Sequence, residues 1–149
     1  MNSTNPRATT DGGQRISAFQ DLRVYQGACA LDEAVFHETK KWPKEEKFAL
    51  IDQIRRSSRS IGANIAESWA KRRYPAHFVS KLTDSDGELQ ETEHWLGRAL
   101  AYGYLRDDDF ALLMARCKSI GRQIGRMIHN PDSFCESPAS GVQPPASNT

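Results

Sequence analysis

Between residues 19 and 129 the apolar positions recur at spacings of three and four, the pattern of helices that bury one face. Four segments carry it. Val24, Ala28, Leu31 and Val35 mark a first helix over about 21–41, with Asp21 as its expected N-cap and Pro43 ending it by restricting Trp42. Leu50, Ile51, Ile54, Ser58, Ile61, Ile65 and Trp69 mark a second over about 44–71, opened by Pro43 and the acidic pair Glu45 and Glu46. Gly62 costs this helix stability, so close packing against another helix is its expected compensation. Tyr74-Pro75 breaks the chain and begins a third helix over about 76–102, with the stripe Phe78, Val79, Leu82, Leu89, Leu96 and Leu100. Gly103 fits a left-handed C-cap there. Asp107, Asp108 and Asp109 form the acidic start of a fourth helix that runs to about His129 through Phe110, Leu113, Cys117, Ile120, Ile124 and Ile128.

No stretch alternates as a strand would. Short connections between four amphipathic helices predict an all-α fold, an antiparallel up-down-up-down four-helix bundle over 19–129. The flanks, 1–18 and 130–149, are expected to be disordered tails. The first is rich in Thr, Asn and Gly, the second in Pro and Ser, and neither can bury enough apolar surface to offset its ordering entropy.

Composition narrows the function classes. The chain has 149 residues, which fits one domain, and no apolar run approaches the ~20 residues of a membrane span. The start of the chain is polar and lacks the apolar core of a signal peptide, so a cytoplasmic location is expected. Cys29, Cys117 and Cys135 are widely spaced and odd in number, which suits reduced packing cysteines rather than a disulfide framework or a metal site.

Metal and catalytic chemistry find little support. A di-metal bundle needs inward glutamates and two Glu-x-x-His motifs. The chain offers one, Glu91-Thr92-Glu93-His94, and at about 100° per residue Glu91 falls opposite the Leu82-Leu89-Leu96 stripe. Glu33 and His37 likewise point away from Val24 and Val35. His37, His77, His94 and His129 form no catalytic signature with the cysteines, and no glycine-rich phosphate loop is present. No metal, cofactor or catalytic residue is expected, and the chain reads as a non-enzyme, with an unrecognised enzyme that pairs such residues across helices as the remote alternative.

Charge is more informative, because the net +1 hides local asymmetry. Arg55, Arg56, Arg59, Arg72 and Arg73 concentrate on the second helix and its end, and Lys118, Arg122 and Arg126 recur every fourth residue on the fourth. Asp84, Asp86, Glu88, Glu91 and Glu93 make the third helix acidic. Two readings follow: a basic surface for the phosphates of RNA or DNA, or acidic and basic helices complementing each other within the bundle or between subunits. Off-stripe aromatics add a second theme. Tyr25, Cys29 and Phe36 form a stripe beside the main one on the first helix, and Trp95 lies off the third helix's core line. They suit a homo-oligomer interface or a wide core face.

Particular motifs carry a family resemblance. They are Asp21-Leu22-Arg23-Val24-Tyr25, Trp42-Pro43-Lys44-Glu45-Glu46-Lys47-Phe48, Ser60-Ile61-Gly62-Ala63-Asn64-Ile65-Ala66-Glu67, Gly87-Glu88-Leu89-Gln90-Glu91-Thr92 and Tyr102-Gly103-Tyr104-Leu105. Together they resemble the four-helix bundle family of 23S rRNA intervening-sequence proteins over nearly all of 19–129. The resemblance implies a homo-oligomer, commonly a ring of five, with no established catalysis. Asn64 and Glu67, at the centre of the most specific motif, are expected at a helix or subunit contact. One branch, the accessory variability determinant of diversity-generating retroelements, binds nucleic acid and a reverse transcriptase, which implies RNA, DNA or a nucleic-acid-processing protein as a partner. That branch is strongly basic whereas this chain is near neutral, and Ser68 stands where the family usually has glycine.

Overall fold

A computed structural model describes residues 8–136. Four helices build the body: α1 (Arg23–Thr39), α2 (Asp52–Ala70), α3 (Pro75–Ala101) and α4 (Asp107–His129). Each packs against the next and α4 returns to α1, with the α2–α3 seam the most extensive. Short connections between successive helices make this the expected antiparallel four-helix bundle. The stripes predict its core: Ala28, Leu31, Ile54, Ile61, Ile65, Phe78, Leu82, Leu96 and Ile124 are all buried. The α2–α3 seam also buries hydroxyls, each with an acceptor. Ser57 and Thr92 share a 2.9 Å hydrogen bond, and Ser85 donates to the Ile61 carbonyl at 2.9 Å. That satisfies groups whose burial alone would be costly.

Helix ends differ from expectation in instructive ways. Asp21 does not cap α1. Its carboxylate accepts the Ser17 and Ala18 backbone N–H groups at 2.9 and 3.1 Å and so closes a short 3-10 turn, Phe19–Asp21. The N-terminus of α1 is served by Asp11 instead, whose carboxylate accepts the Arg23 N–H at 2.8 Å and the Arg23 guanidinium at 2.9 and 3.0 Å. The second helical segment opens with a 3-10 turn, Lys44–Glu46, and a π-turn, Lys47–Ile51, before α2 proper. Gly103 takes φ +80° as predicted, and the N–H of Tyr104 reaches back to the Ala99 carbonyl at 3.0 Å.

Parts of the expected tails are structured. Two short strands, β1 (Thr10–Asp11) and β2 (Gln14–Arg15), pair antiparallel around Gly12 and Gly13, and Ile16 is buried against the bundle. After α4, a 3-10 turn over Pro131–Ser133 brings Phe134 to stack on Phe78 at 6.3 Å, and the Glu136 N–H donates to the Arg72 carbonyl. The ordered body therefore extends beyond 19–129 at both ends. The remainder of each expected tail, before residue 8 and after 136, lies outside the described residues.

Candidate interaction surfaces

The basic residues separate into three groups. In the first, cations are met by acids of the same chain. Arg56 reaches across to α3, where its guanidinium pairs with Glu88 at 3.2 Å and with Glu91. The hydrogen bond to Glu88 is the main cause that raises the Arg56 pKa further. Lys118 of α4 pairs with Glu93 of α3 at 3.3 Å, and Lys81 of α3 pairs with Glu67 of α2 at 2.8 Å. The Lys81 ammonium holds the Glu67 carboxyl below its ordinary value. Acidic α3 thus complements its two neighbours within the bundle.

Aromatic packing holds the second group, in which Arg72 also pairs with Glu136 at 3.9 Å. The Arg72 guanidinium lies 3.5 Å from the Trp69 ring centroid and donates to the Trp69 carbonyl at 2.9 Å, while Arg73 sits 5.8 Å over Tyr74.

The third group has no acidic partner. Among the described residues, Lys40, Arg55, Arg59, Arg122 and Arg126 form no ion pair. Three of these converge on Phe36. Lys40 lies 4.4 Å, Arg55 4.9 Å and Arg59 5.9 Å from its ring centroid. Arg55 is fixed there by a 2.8 Å hydrogen bond from Nε to the buried Thr39 hydroxyl, which itself donates to the Phe36 carbonyl at 3.0 Å. Burial raises the pKa of nearby Asp32, and the charge of Arg59 opposes that rise. The α1–α2 face therefore displays an aromatic ring under a canopy of cations, the geometry of cation–π contacts.

The other expected interface aromatics look inward. Tyr25 and Trp95 are half-buried and pack against the chain's own core, Tyr25 also meeting Phe19 edge-on at 4.9 Å. Asn64 donates to the Ser60 carbonyl one turn back at 3.0 Å, a local bond within α2. The large apolar side chains that do face solvent are Phe48 (74% exposed), Tyr74, Tyr102 and Leu112 (66%). Pattern reading passes over them because each sits beside a helix's core stripe or in a turn.

Chemistry suited to catalysis is sparse. Among the described residues no three His, Cys, Asp or Glu side chains come together as a metal would need, and Glu91 of the Glu-x-x-His motif is engaged by Arg56. Burial pushes the Cys117 thiol up to about 12, which leaves it protonated at neutral pH. No described helix is long and apolar enough to cross a membrane.

Residues 20–126 match the family described as 23S rRNA-intervening sequence protein. Among solved structures, the chain is similar to a protein with unknown function from the S23 ribosomal protein family of Bacteroides thetaiotaomicron VPI-5482. The two share 27% identity at a TM-score of 0.64, over 70% of this chain and 97% of that one. No match was found among curated proteins.

Proposed function

The chain belongs to the 23S rRNA-intervening sequence protein family, and from that premise we propose that it is a non-catalytic interaction protein of the cytoplasm that assembles with copies of itself. The observation that carries the reading is the α1–α2 face, where Phe36 lies beneath Lys40, Arg55 and Arg59, none in a close ion pair among the described residues, with Asp32 acting on Arg59 from farther off. A folded bundle that neutralises Arg56, Lys81 and Lys118 internally yet leaves this cluster unmatched keeps it available for another surface. An α3 acid that the bundle leaves without a cation among the described residues, Asp86, offers part of such a surface on a second copy. A head-to-tail contact of that kind, repeated around an axis, closes a ring, and the family resemblance implies five members. The exposure of the cluster means that charge would set register more than affinity.

Phosphate is the second ligand chemistry that suits the cluster, with Arg122 and Arg126 adding unpaired charge on α4. RNA, DNA or a nucleic-acid-processing protein, as for the retroelement branch of the resemblance, is the corresponding partner. Light scattering coupled to size exclusion, on Phe36→Glu with Arg59→Glu, decides the first reading. The expected result is loss of the assembled mass with helical circular dichroism retained; a folded double variant at unchanged mass overturns assembly through this face. For the second, RNA binding should weaken steeply between 50 and 200 mM salt, and Arg122→Glu with Arg126→Glu should reduce it. Binding indifferent to both would exclude a phosphate role.

A further inference from the structure

A cavity of about 460 Å³ opens where α1 begins and α4 ends, with Asp11 of the N-terminal hairpin and Phe134 of the turn after α4 completing its wall. Its volume lies within the ~300–1,000 Å³ of small-ligand sites. Val24, Met127 and Phe134 form its apolar part, the first two buried and Phe134 half-buried. Arg23, Arg126 and His129 bring nitrogen donors to the same space. Apolar walls with a few convergent polar groups are the make-up of a ligand pocket.

The two guanidiniums are prepared differently. Arg23 is held in place: Asp11 accepts from its Nε at 3.0 Å and its Nη2 at 2.9 Å, and Gly12, at φ +59°, packs against it. A Cβ on Gly12 would fall 2.8 Å from Arg23 Cζ, so a side chain at that position would displace the guanidinium. Nη1 of Arg23 is left with no acceptor among the described residues. Arg126 has no ion pair among them either. The charge of the lining then selects among anions. Two guanidiniums against one carboxylate leave +1 with His129 neutral, and Asp132 of the neighbouring turn lines no part of the cavity. Helix dipoles do not decide the sign, since α1 presents its N-terminus there and α4 its C-terminus. One net positive charge matches a carboxylate, which a guanidinium binds through paired N–H···O bonds, better than it matches a dianionic phosphate.

We propose that this cavity binds a small organic carboxylate, its charge held by Arg23 and Arg126 and its apolar body packed on Val24, Met127 and Phe134. The site is distinct from the Phe36 face, because Arg23 and Phe36 stand thirteen residues apart on α1, about 20 Å at the helical rise. It does not depend on assembly of copies. Arg126 is common to this site and to the phosphate reading of α4, and the identity of the anion separates the two.

The test is isothermal titration of the full chain with naphthoate, naphthyl phosphate and the uncharged naphthalenemethanol, at about pH 8, where a phosphate monoester carries two charges. Amide shifts in two-dimensional NMR locate the site. Naphthoate is expected to bind most tightly of the three and to shift Met127 and Phe134. Arg126→Gln should weaken it ~10- to 100-fold, the scale of a lost hydrogen bond to a charged group. Arg116→Gln, on α4 but outside the cavity, should leave it unchanged. Asp11→Asn supplies a readout that a folding effect does not move: it raises the charge of the lining by one, so affinity for naphthyl phosphate relative to naphthoate should rise. Absence of naphthoate binding at millimolar concentration overturns the proposal. So do equal binding of naphthalenemethanol, shifts confined to residues away from the cavity, and indifference to Arg126→Gln. Tighter binding of naphthyl phosphate by the unaltered chain, or an affinity ratio that Asp11→Asn leaves unmoved, overturns the choice of a carboxylate and the proposal with it.

Discussion

Gly62 offers a test of how the helices meet, because opposing effects act there and distances decide between them. It lies in the middle of α2, buried against α1, and glycine in a helix interior costs about 1 kcal/mol relative to alanine. Close approach of α1 is the natural explanation for tolerating that cost. The geometry gives a different answer. A Cβ placed on Gly62 would lie 3.6 Å from Cε2 of Tyr25, 3.8 Å from Cβ of Ala28 and 3.9 Å from Cδ2 of Tyr25, all ordinary van der Waals separations. The helices are close, but not so close that only hydrogen fits. Gly62→Ala should therefore gain the propensity term of about 1 kcal/mol and part of the roughly 0.8 kcal/mol for one more buried methyl. The sum is a stabilisation of roughly 1–1.5 kcal/mol, or a rise in Tm of roughly 3–7 °C for a body of this size. Gly62→Val is expected to reverse the sign, since its γ carbons reach past the Cβ toward the Tyr25 ring and overpacking costs about 1–3 kcal/mol. Urea titration followed by circular dichroism reads both. A destabilised Gly62→Ala protein would refute the reasoning, showing that α1 and α2 approach more tightly than these distances or that the glycine serves some other need.

The other expectations concern the N-terminal hairpin and a buried thiol. Asp11→Ala should lose about 1 kcal/mol for the cap of α1 and up to about 1 kcal/mol more for the exposed ion pair with Arg23, while Asp11→Asn, still a good cap, should recover most of the first part; urea midpoints check this, and equal loss in both variants would assign the effect to charge alone. Cys117 is raised from 9.0 to about 12 by burial, so above pH about 9 the unfolded thiol ionises while the folded one stays protonated. Its contribution is thus complete below pH 9 and declines between about 9 and 12. Cys117→Ala should flatten the fall of stability over that window, and identical pH slopes for both proteins would contradict the assignment.

The core could be read from the sequence because its signal is local and repeated. Val24, Ala28, Leu31 and Val35, or Leu82, Leu89 and Leu96, fix a helix face from spacing alone, and each is buried. The ends were less legible because what orders them is distant in sequence. Residues 9–16 hold one buried apolar side chain, Ile16, and two strands of two residues each, too short for any alternation to register. Their anchor is the Asp11–Arg23 contact, twelve residues apart. Phe134 is ordered by stacking on Phe78 from another helix, and nothing near it in sequence announces that. Asp21 illustrates a related limit. It has the residue type and place of an N-cap, yet Asp11 reaches the first turn of α1 instead, and a capping residue need not be sequential to the helix it caps.

Charge shows the same division more sharply. Arg55 and Arg56 are adjacent in sequence and identical in type, so composition treats them as one basic patch. A rotation of about 100° between neighbours sends them to different sides of α2. Arg56 faces α3 and is neutralised by Glu88 and Glu91; Arg55 faces α1, where it finds a hydroxyl and an aromatic ring but no carboxylate. Which arginine is spent on the bundle and which is left over depends on the partner helix, and therefore on the tertiary arrangement rather than on the count. The net charge of +1 carries none of this. Among the described residues the remainder of the pairing includes Lys40, Arg55 and Arg59 around Phe36 and Arg122 and Arg126 on α4, and these are open to another molecule. A partner responds to that remainder, so the acidity of α3, which cancels the basic helices in the sum, does little to screen the α1–α2 face on the other side of α2.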